Sequence, residues 1–274
     1  MPELPEVETV KESLKSQILG LKIKEVLVHH EKMIKDIPIA TFKKQLPGQQ
    51  FIDIGRRGKY LIFQLDDYFL LSHLRMEGKF FYREDEFARA KHTHVEFLLD
   101  NETTLKYEDV RKFGTFHLYE KNVDLELTRS FSVLGPEPWD ERFDIEAVTA
   151  HFHQKKMPIK SMLLSQKVVA GLGNIYVDEV LFASGIHPTR PSGALSREEL
   201  EKIIYYTREI LAKAIEFNGT TIKTFTSNHG ISGDFQQFLQ AHTKQDEPCP
   251  NCRTKILKIK VGGRGTYYCP TCQP

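Results

Sequence analysis

Apolar residues recur every three or four positions near the start of the chain. Val7, Val10, Leu14 and Ile18 form one stripe, which predicts a helix over residues 5–19. Pro5 suits its first position, Glu6 and Glu8 favour the positive end of its dipole, and Gly20 ends it. Pro2 and Glu3 then fall just outside, in what reads as an irregular and accessible lead-in. From about residue 22 to 134 the pattern shifts to short β runs. "KYLIFQL" (59–65), "FLLSHL" (69–74), "KFFYR" (79–83), "HVEFLL" (94–99), "TLKYEDV" (104–110) and "GTFHLYE" (114–120) are separated by turn-prone "DD", "MEG" and "DNE". Such runs predict an antiparallel sandwich or flattened barrel. "LGPEPWDERFD" (134–144), with two prolines, reads as a linker. Beyond it "DIEAVTAHFHQK", "KSMLLSQKVV" and residues 196–217 are helical in pattern. In the last of these Ser196 and Glu199 form a capping box ahead of a face of Leu200, Ile203, Ile204, Thr207 and Leu211.

The length of 274 residues allows two domains. No stretch approaches the roughly 20 apolar residues of a membrane span. Glu3, Glu6 and Glu8 stand where a signal peptide would be basic and then apolar, so a cytosolic chain is expected. A formal net charge of +1 does not advertise a nucleic-acid binder, although a basic groove can sit on a nearly neutral protein. Two basic clusters stand out, "GRRGK" (55–59) and the run holding Arg253, Lys255, Lys258, Lys260 and Arg264. Taken alone, each reads as solvated surface charge.

The strongest chemical signal is at the C-terminus. All four cysteines fall into "CPNC" (249–252) and "CPTC" (269–272), a spacing that fits a four-thiolate zinc site. Two disulfides are the other reading, which a cytosolic setting disfavours. The intervening "KILKIKVGGRGTYY" alternates as a hairpin with Gly262, Gly263 and Gly265 at its tip, presenting Arg264. In "VVAGLGNIYVDEVL" (168–181) helical patterns flank Gly171 and Gly173, followed by Asn174. A Gly-rich turn before a helix exposes N–H groups that can hold a phosphate; plain helix packing is the alternative. "SHLRMEGK" (72–79) and "DVRKFGT" (109–115) place Arg75, Met76, Arg111 and Phe113 near strand turns. Met76 and Phe113 there are either wedges between base steps or core residues. Pro2, freed by removal of the initiator Met, would carry a secondary amine able to attack an aldehyde-level carbon, with Glu3 beside it to shuttle protons. The other reading is a proline that merely orders the N-terminus.

These pieces together resemble the bacterial formamidopyrimidine-DNA glycosylases, bifunctional base-excision enzymes for oxidised purines. The resemblance runs through "PELPEVET" (2–9), "RRGKYL" (56–61), "HLRMEGK" (73–79), "DVRKFGT" (109–115), "LGPEP" (134–138), "VVAGLGNIYVDE" (168–179) and the cysteine module. It implies an α+β protein of two domains: an N-terminal helix plus antiparallel β-sandwich (1–134), then, after a linker (135–148), a helical domain with a helix–two-turn–helix motif (149–240) and a four-cysteine zinc-finger β-hairpin (241–274). It also implies a nucleophile at Pro2, acid–base work at Glu3, assistance from Lys59 and Arg264, and one structural zinc ion on Cys249, Cys252, Cys269 and Cys272. DNA contacts fall to His92, Arg111, Lys156 and Asn174, while Met76, Arg111 and Phe113 fill the gap left by an extruded base. The partner is double-stranded DNA with oxidised bases or abasic sites, met by a monomer. Two departures matter. Ala241, His242, Thr243 and Lys244 stand where members often carry Val-Tyr-Gly-Arg, so Lys244 or His242 is left to replace a phosphate contact. "TFTSNHGISGDFQ" (224–236), with Gly230, Ser232 and Gly233, occupies the place of a lesion-capping loop. An endonuclease VIII-like enzyme for oxidised pyrimidines and a non-catalytic damage-binding protein are the alternatives; Leu4 and the "VRKF" string speak against the former.

Overall fold

The computed structural model describes residues 1–83, 90–220 and 233–274; Gly230 and Ser232 lie outside them. Among these residues, no helix is long and apolar enough to cross a membrane. The chain forms two compact units, one of residues 1–124 and 220–233 and the other of 125–219 and 234–274.

The first unit begins with α1 (Leu4–Ile18), one residue earlier than its stripe predicts, because Glu3 rather than Leu4 is the N-cap and Glu6 closes a capping box with it. Val7, Val10, Leu14 and Ile18 are all buried. β1 (Ile23–Val28), β2 (Ile34–Lys35), α2 (Ile39–Gln45) and β3 (Asp53–Arg57) precede the runs that the alternation picks out. Those runs become β4 (Tyr60–Gln64), β5 (Tyr68–His73), β6 (Lys79–Arg83), β7 (Thr93–Leu99), β8 (Thr104–Glu108) and β9 (Thr115–Glu120). Two sheets result, with orders β1-β7-β8-β6 and β2-β9-β5-β4-β3. All pairings in them are antiparallel except the two-residue parallel contact of β2 with β9. One apolar core unites them: Phe63 from the second sheet meets Phe80 from the first ring-to-ring at 5.5 Å, and Phe80 in turn meets Tyr107 at 5.1 Å.

The second unit contains α3 (Ile145–Phe152), α4 (Ile159–Leu164), α5 (Asn174–Ser184) and α6 (Arg197–Glu216), then the hairpin of β10 (Leu257–Val261) and β11 (Arg264–Tyr268). The Ser196–Glu199 capping box is present, and Leu200, Ile203, Ile204, Thr207 and Leu211 are the buried face of α6. The linker is pinned within this unit, since Arg208 donates to the carbonyls of Pro138 and Phe143, both at 2.8 Å. Gly262 and Gly263 make the hairpin turn with positive φ, as a two-residue loop of this kind requires. Gly265 lies in β11 rather than at the tip, opposite Lys260.

Two glycines in the first unit stand against one side chain, and Gly78 also against the Leu74 carbonyl, 2.5 Å from where its Cβ would be. A Cβ on Gly114 would sit 1.7 Å from the Tyr107 hydroxyl, and one on Gly78 would sit 2.1 Å from it. The loops "MEGK" and "RKFG" therefore close over the same buried ring. Gly114→Ala should lower unfolding free energy by about 1–3 kcal/mol, seen as an earlier urea midpoint at unchanged slope. A midpoint equal to that of the parent would show that the loop accommodates the methyl group and that Tyr107 does not dictate the glycine.

Candidate active site and nucleic-acid interface

Pro2 and Glu3 do not form the accessible lead-in that the sequence predicts; both are buried, Glu3 with 2% of its surface exposed. The cause is Glu6. Its Oε2 accepts the Glu3 N–H at 2.8 Å, while Oε1 accepts the N–H and hydroxyl of Thr220 at 2.8 and 3.2 Å. A carboxylate that would otherwise only complement the helix dipole becomes the clasp for the front end of the chain. Met1, which precedes them, is itself half-buried. Burial pushes its amine below the ordinary value; Glu3, Glu6 and Glu77 oppose that shift and Lys59 reinforces it. Pro2, Glu3 and Lys59 thus share one electrostatic neighbourhood.

The "GRRGK" cluster is not solvated charge. Arg57 and Lys59 are buried, and Arg56 reaches Glu8 of α1 at 2.6 Å and the Gly58 carbonyl at 3.0 Å. Arg57 pairs with Tyr60, so Gly58 and Lys59 form a two-residue turn, and Gly58 supplies its positive φ. Charge pattern alone carries no signal of this burial. The second basic run does stay exposed, including Arg264 at the start of β11.

His73 is a buried site residue that the motif reading passed over. Its Nδ1 accepts the backbone N–H of Arg75 at 3.0 Å, so the ring proton sits on Nε2. That contact holds Arg75 at φ +55° and starts the turn carrying Met76, which is half-buried. Burial, followed by the charges of Arg75 and Lys59, keeps His73 well below the usual histidine range.

Asp109 organises the neighbouring loop. Its Oδ1 accepts the Arg111 N–H at 2.9 Å, and Oδ2 accepts those of Phe113 and Gly114, both at 2.8 Å. Wrapping the backbone inward turns the side chains out: Arg111 is exposed and lies 4.8 Å over the Phe113 ring, which is itself 52% exposed. Phe113 is therefore not a core residue. An aromatic ring exposed at a loop tip with a guanidinium on its face is suited to stacking on bases. His92 lies on the adjoining segment, where its carbonyl accepts the Asp109 N–H at 3.0 Å.

In the second unit Asn174 is the first residue of α5, behind a turn braced by Gln166. That side chain accepts the Gly171 N–H at 3.0 Å and donates to the Leu172 carbonyl at 2.6 Å. Asn174 Nδ2 donates to the Gly265 carbonyl at 3.0 Å, placing the helix N-terminus beside the residue that follows Arg264. Lys156 is exposed in the loop between α3 and α4. His242 is bonded to Asp178 at 2.7 Å and Lys244 pairs with Glu247 at 3.2 Å, so both candidate replacements for the usual arginine have protein partners.

The ligand atoms of Cys249, Cys252, Cys269 and Cys272 all lie within 4.8 Å of one another, with Sγ–Sγ distances of 3.8 and 3.4 Å across the two pairs. Tetrahedral Zn–S bonds of about 2.3 Å place sulfurs about 3.8 Å apart. None of the four is in a disulfide. Hydrogen bonds from Thr254 pull the Cys252 thiol down to about 6, whereas burial raises Cys269 and Cys272. Thiols crowded this closely ionise together only around a cation. The quartet is a structural zinc site, and all four positions are taken by protein, which leaves no place for a reacting water.

Because folded His73 resists protonation, the unfolded chain binds more protons below about pH 6.5, and stability falls as pH drops through that value. His73→Asn, which keeps an acceptor near the Nδ1 position, should make the decline between pH 7 and 5 shallower in urea titrations. Parallel declines for the two proteins would show that His73 does not carry this dependence.

Three family models cover the chain: the formamidopyrimidine-DNA glycosylase N-terminal domain over residues 1–116, its H2TH domain over 134–226, and a zinc finger found in FPG and IleRS over 246–274. A formamidopyrimidine-DNA glycosylase of Streptococcus pneumoniae is 48% identical over 273 residues, covering 100% of this chain and 99% of that protein. One from Bacillus cereus is 44% identical over 275 residues with the same coverage. Among solved structures, Lactococcus lactis Fpg in complex with DNA containing an abasic site matches with a TM-score of 0.91, 41% identity and 99% of both chains. MutM in complex with DNA containing carbocyclic 8-oxo-G matches with a TM-score of 0.91, 40% identity and 100% of both chains. The chain belongs to the formamidopyrimidine-DNA glycosylase family, DNA glycosylases of base excision repair.

Proposed function

We propose that this chain excises oxidised purines, 8-oxoguanine and formamidopyrimidines, from duplex DNA and then cleaves the strand, with Pro2 as nucleophile. The observation that carries the reading is the buried N-terminus beside Lys59 and Glu3. Removal of Met1 uncovers the Pro2 nitrogen without disturbing Glu3, whose N–H stays on Glu6. Burial, reinforced by Lys59, lowers the terminal amine of Met1 against the opposing charges of Glu3, Glu6 and Glu77, and the same surroundings favour the neutral, nucleophilic form of a terminal Pro2 nitrogen.

The steps follow from that placement. A base inside the duplex is out of reach and must be rotated out, at a cost of a few kcal/mol. Phe113 and Met76 enter the gap to offset lost stacking, and Arg111 meets the abandoned cytosine. Pro2 attacks C1′, the C1′–N bond to the damaged base breaks, and an iminium link to the opened sugar remains. Glu3 passes protons to and from the sugar-ring oxygen, with Lys59 assisting. The iminium acidifies the C2′ proton, so elimination of the 3′ phosphate and then the 5′ phosphate needs no metal. Asn174 and Arg264 hold the flanking phosphate, and Arg264 assists the second elimination. His92 and Lys156 contact the backbone, and such contacts make affinity fall with salt. Acting on chromosomal DNA places the enzyme in the cytoplasm, at the nucleoid.

The test is a lesion panel. Duplexes with 8-oxoguanine, a formamidopyrimidine, an oxidised pyrimidine or a preformed abasic site are incubated with the parent and with Glu3→Gln. The parent should release both purine lesions faster than the pyrimidine. Glu3→Gln should lose base release by at least about a hundredfold, the lower range for a general acid–base group, while largely keeping abasic-site cleavage. A preference for the pyrimidine would transfer the chain to the endonuclease VIII-like reading. Equal loss of both activities would show that Glu3 has no separate role in base release.

A further inference from the structure

His242 lies in the segment where this chain departs from the string usual in the family, and its contacts lead to Arg264. Asp178, on α5, has a fully buried side chain. Its Oδ1 accepts Lys160 Nζ at 2.7 Å and its Oδ2 accepts His242 Nδ1 at 2.7 Å. The Tyr267 N–H of β11 reaches the same Oδ2 at 3.4 Å. Lys160 also donates to the Gly265 carbonyl at 3.0 Å, the oxygen that Asn174 holds from the other side. One carboxylate thereby joins α4, α5, residue 242 and the strand that opens with Arg264.

We propose that His242 is a positioning residue for Arg264: by holding Asp178, it keeps the Gly265 carbonyl shared between Lys160 and Asn174. Without the imidazole donor, Oδ2 retains only the long contact to Tyr267, and the carboxylate can rotate about its bond to Lys160. A buried charge that loses a hydrogen bond moves toward the partners left to it. Lys160 follows, and with it the Gly265 carbonyl and the guanidinium one residue away. The segment itself does not depend on the imidazole, because Glu179 separately accepts the backbone N–H groups of Gln240, Ala241 and His242 at 2.8, 3.0 and 2.8 Å. The ring's edge-on packing against Tyr267, with centroids 5.0 Å apart, is a contact that phenylalanine can reproduce. The proposal rests on the reading that Arg264 assists the second elimination.

The experiment measures zinc content and the rates of first and second strand cleavage at a preformed abasic site. It compares the parent, H242F, H242N, R264A and the H242F/R264A double variant. H242N keeps an N–H donor close to the position of Nδ1. H242F should keep its zinc and its first cleavage rate but slow the second roughly ten- to a hundredfold, the scale on which a misplaced group costs rate. H242N should restore most of that loss. The double variant should be no slower in the second cleavage than R264A alone, since both changes act through one group. Zinc loss in H242F, an unchanged second cleavage, additive losses in the double variant, or no rescue by H242N would each overturn the proposal. If R264A itself cleaves at the parental rate, the reading of Arg264 fails, and that outcome is distinct from one in which R264A is slow and H242F is not.

Discussion

The front end of this chain depends on a single buried carboxylate. Glu6 accepts three donors, the Glu3 N–H and the N–H and hydroxyl of Thr220, and so fixes where α1 begins and where residues 2 and 3 lie. A buried carboxylate with fewer partners would be costly, which is why the arrangement tolerates little play. The consequence is chemical. The terminal amine of Met1 is pushed below its ordinary value, because burial, with Lys59 beside it, outweighs the opposing charges of Glu3, Glu6 and Glu77.

The second unit answers a different demand with the same device. Zinc holds the cysteine module, but it does not by itself say where the hairpin points. Orientation comes from α5, whose Asp178 and Glu179 collect donors from residues 160, 240–242 and 267, and whose first residue, Asn174, holds the Gly265 carbonyl. The "VDE" of the motif therefore does structural work behind the half-buried Asn174. In the first unit Asp109 plays the matching part, absorbing three backbone N–H groups so that Arg111 and Phe113 face outward.

Local chemistry was the legible part of the sequence. The cysteine pairs, the Ser196 cap, the stripe of α1 and six of the strands are patterns within a few residues of one another, and the structure keeps them. Elements without a clean period were missed. Helix α2 buries only Phe42, and β1 follows no strict alternation. Burial of polar groups was misread for the same reason. Nothing in "GRRGK" or "PELPE" announces that Arg57, Lys59, Pro2 and Glu3 are buried, because Glu6 takes up its clasping role only by meeting Thr220, 214 residues away. His242 and Asp178 are 64 residues apart, a separation across which spacing carries no information.

The central claim is that the nitrogen of Pro2 makes the covalent link to DNA. The direct measurement is to reduce the enzyme–DNA intermediate with borohydride, digest it, and locate the sugar remnant by tandem mass spectrometry. The account predicts a remnant on the nitrogen of Pro2 in a chain lacking Met1. A remnant on Lys59 or any other lysine, or an adduct that still carries Met1, would contradict it.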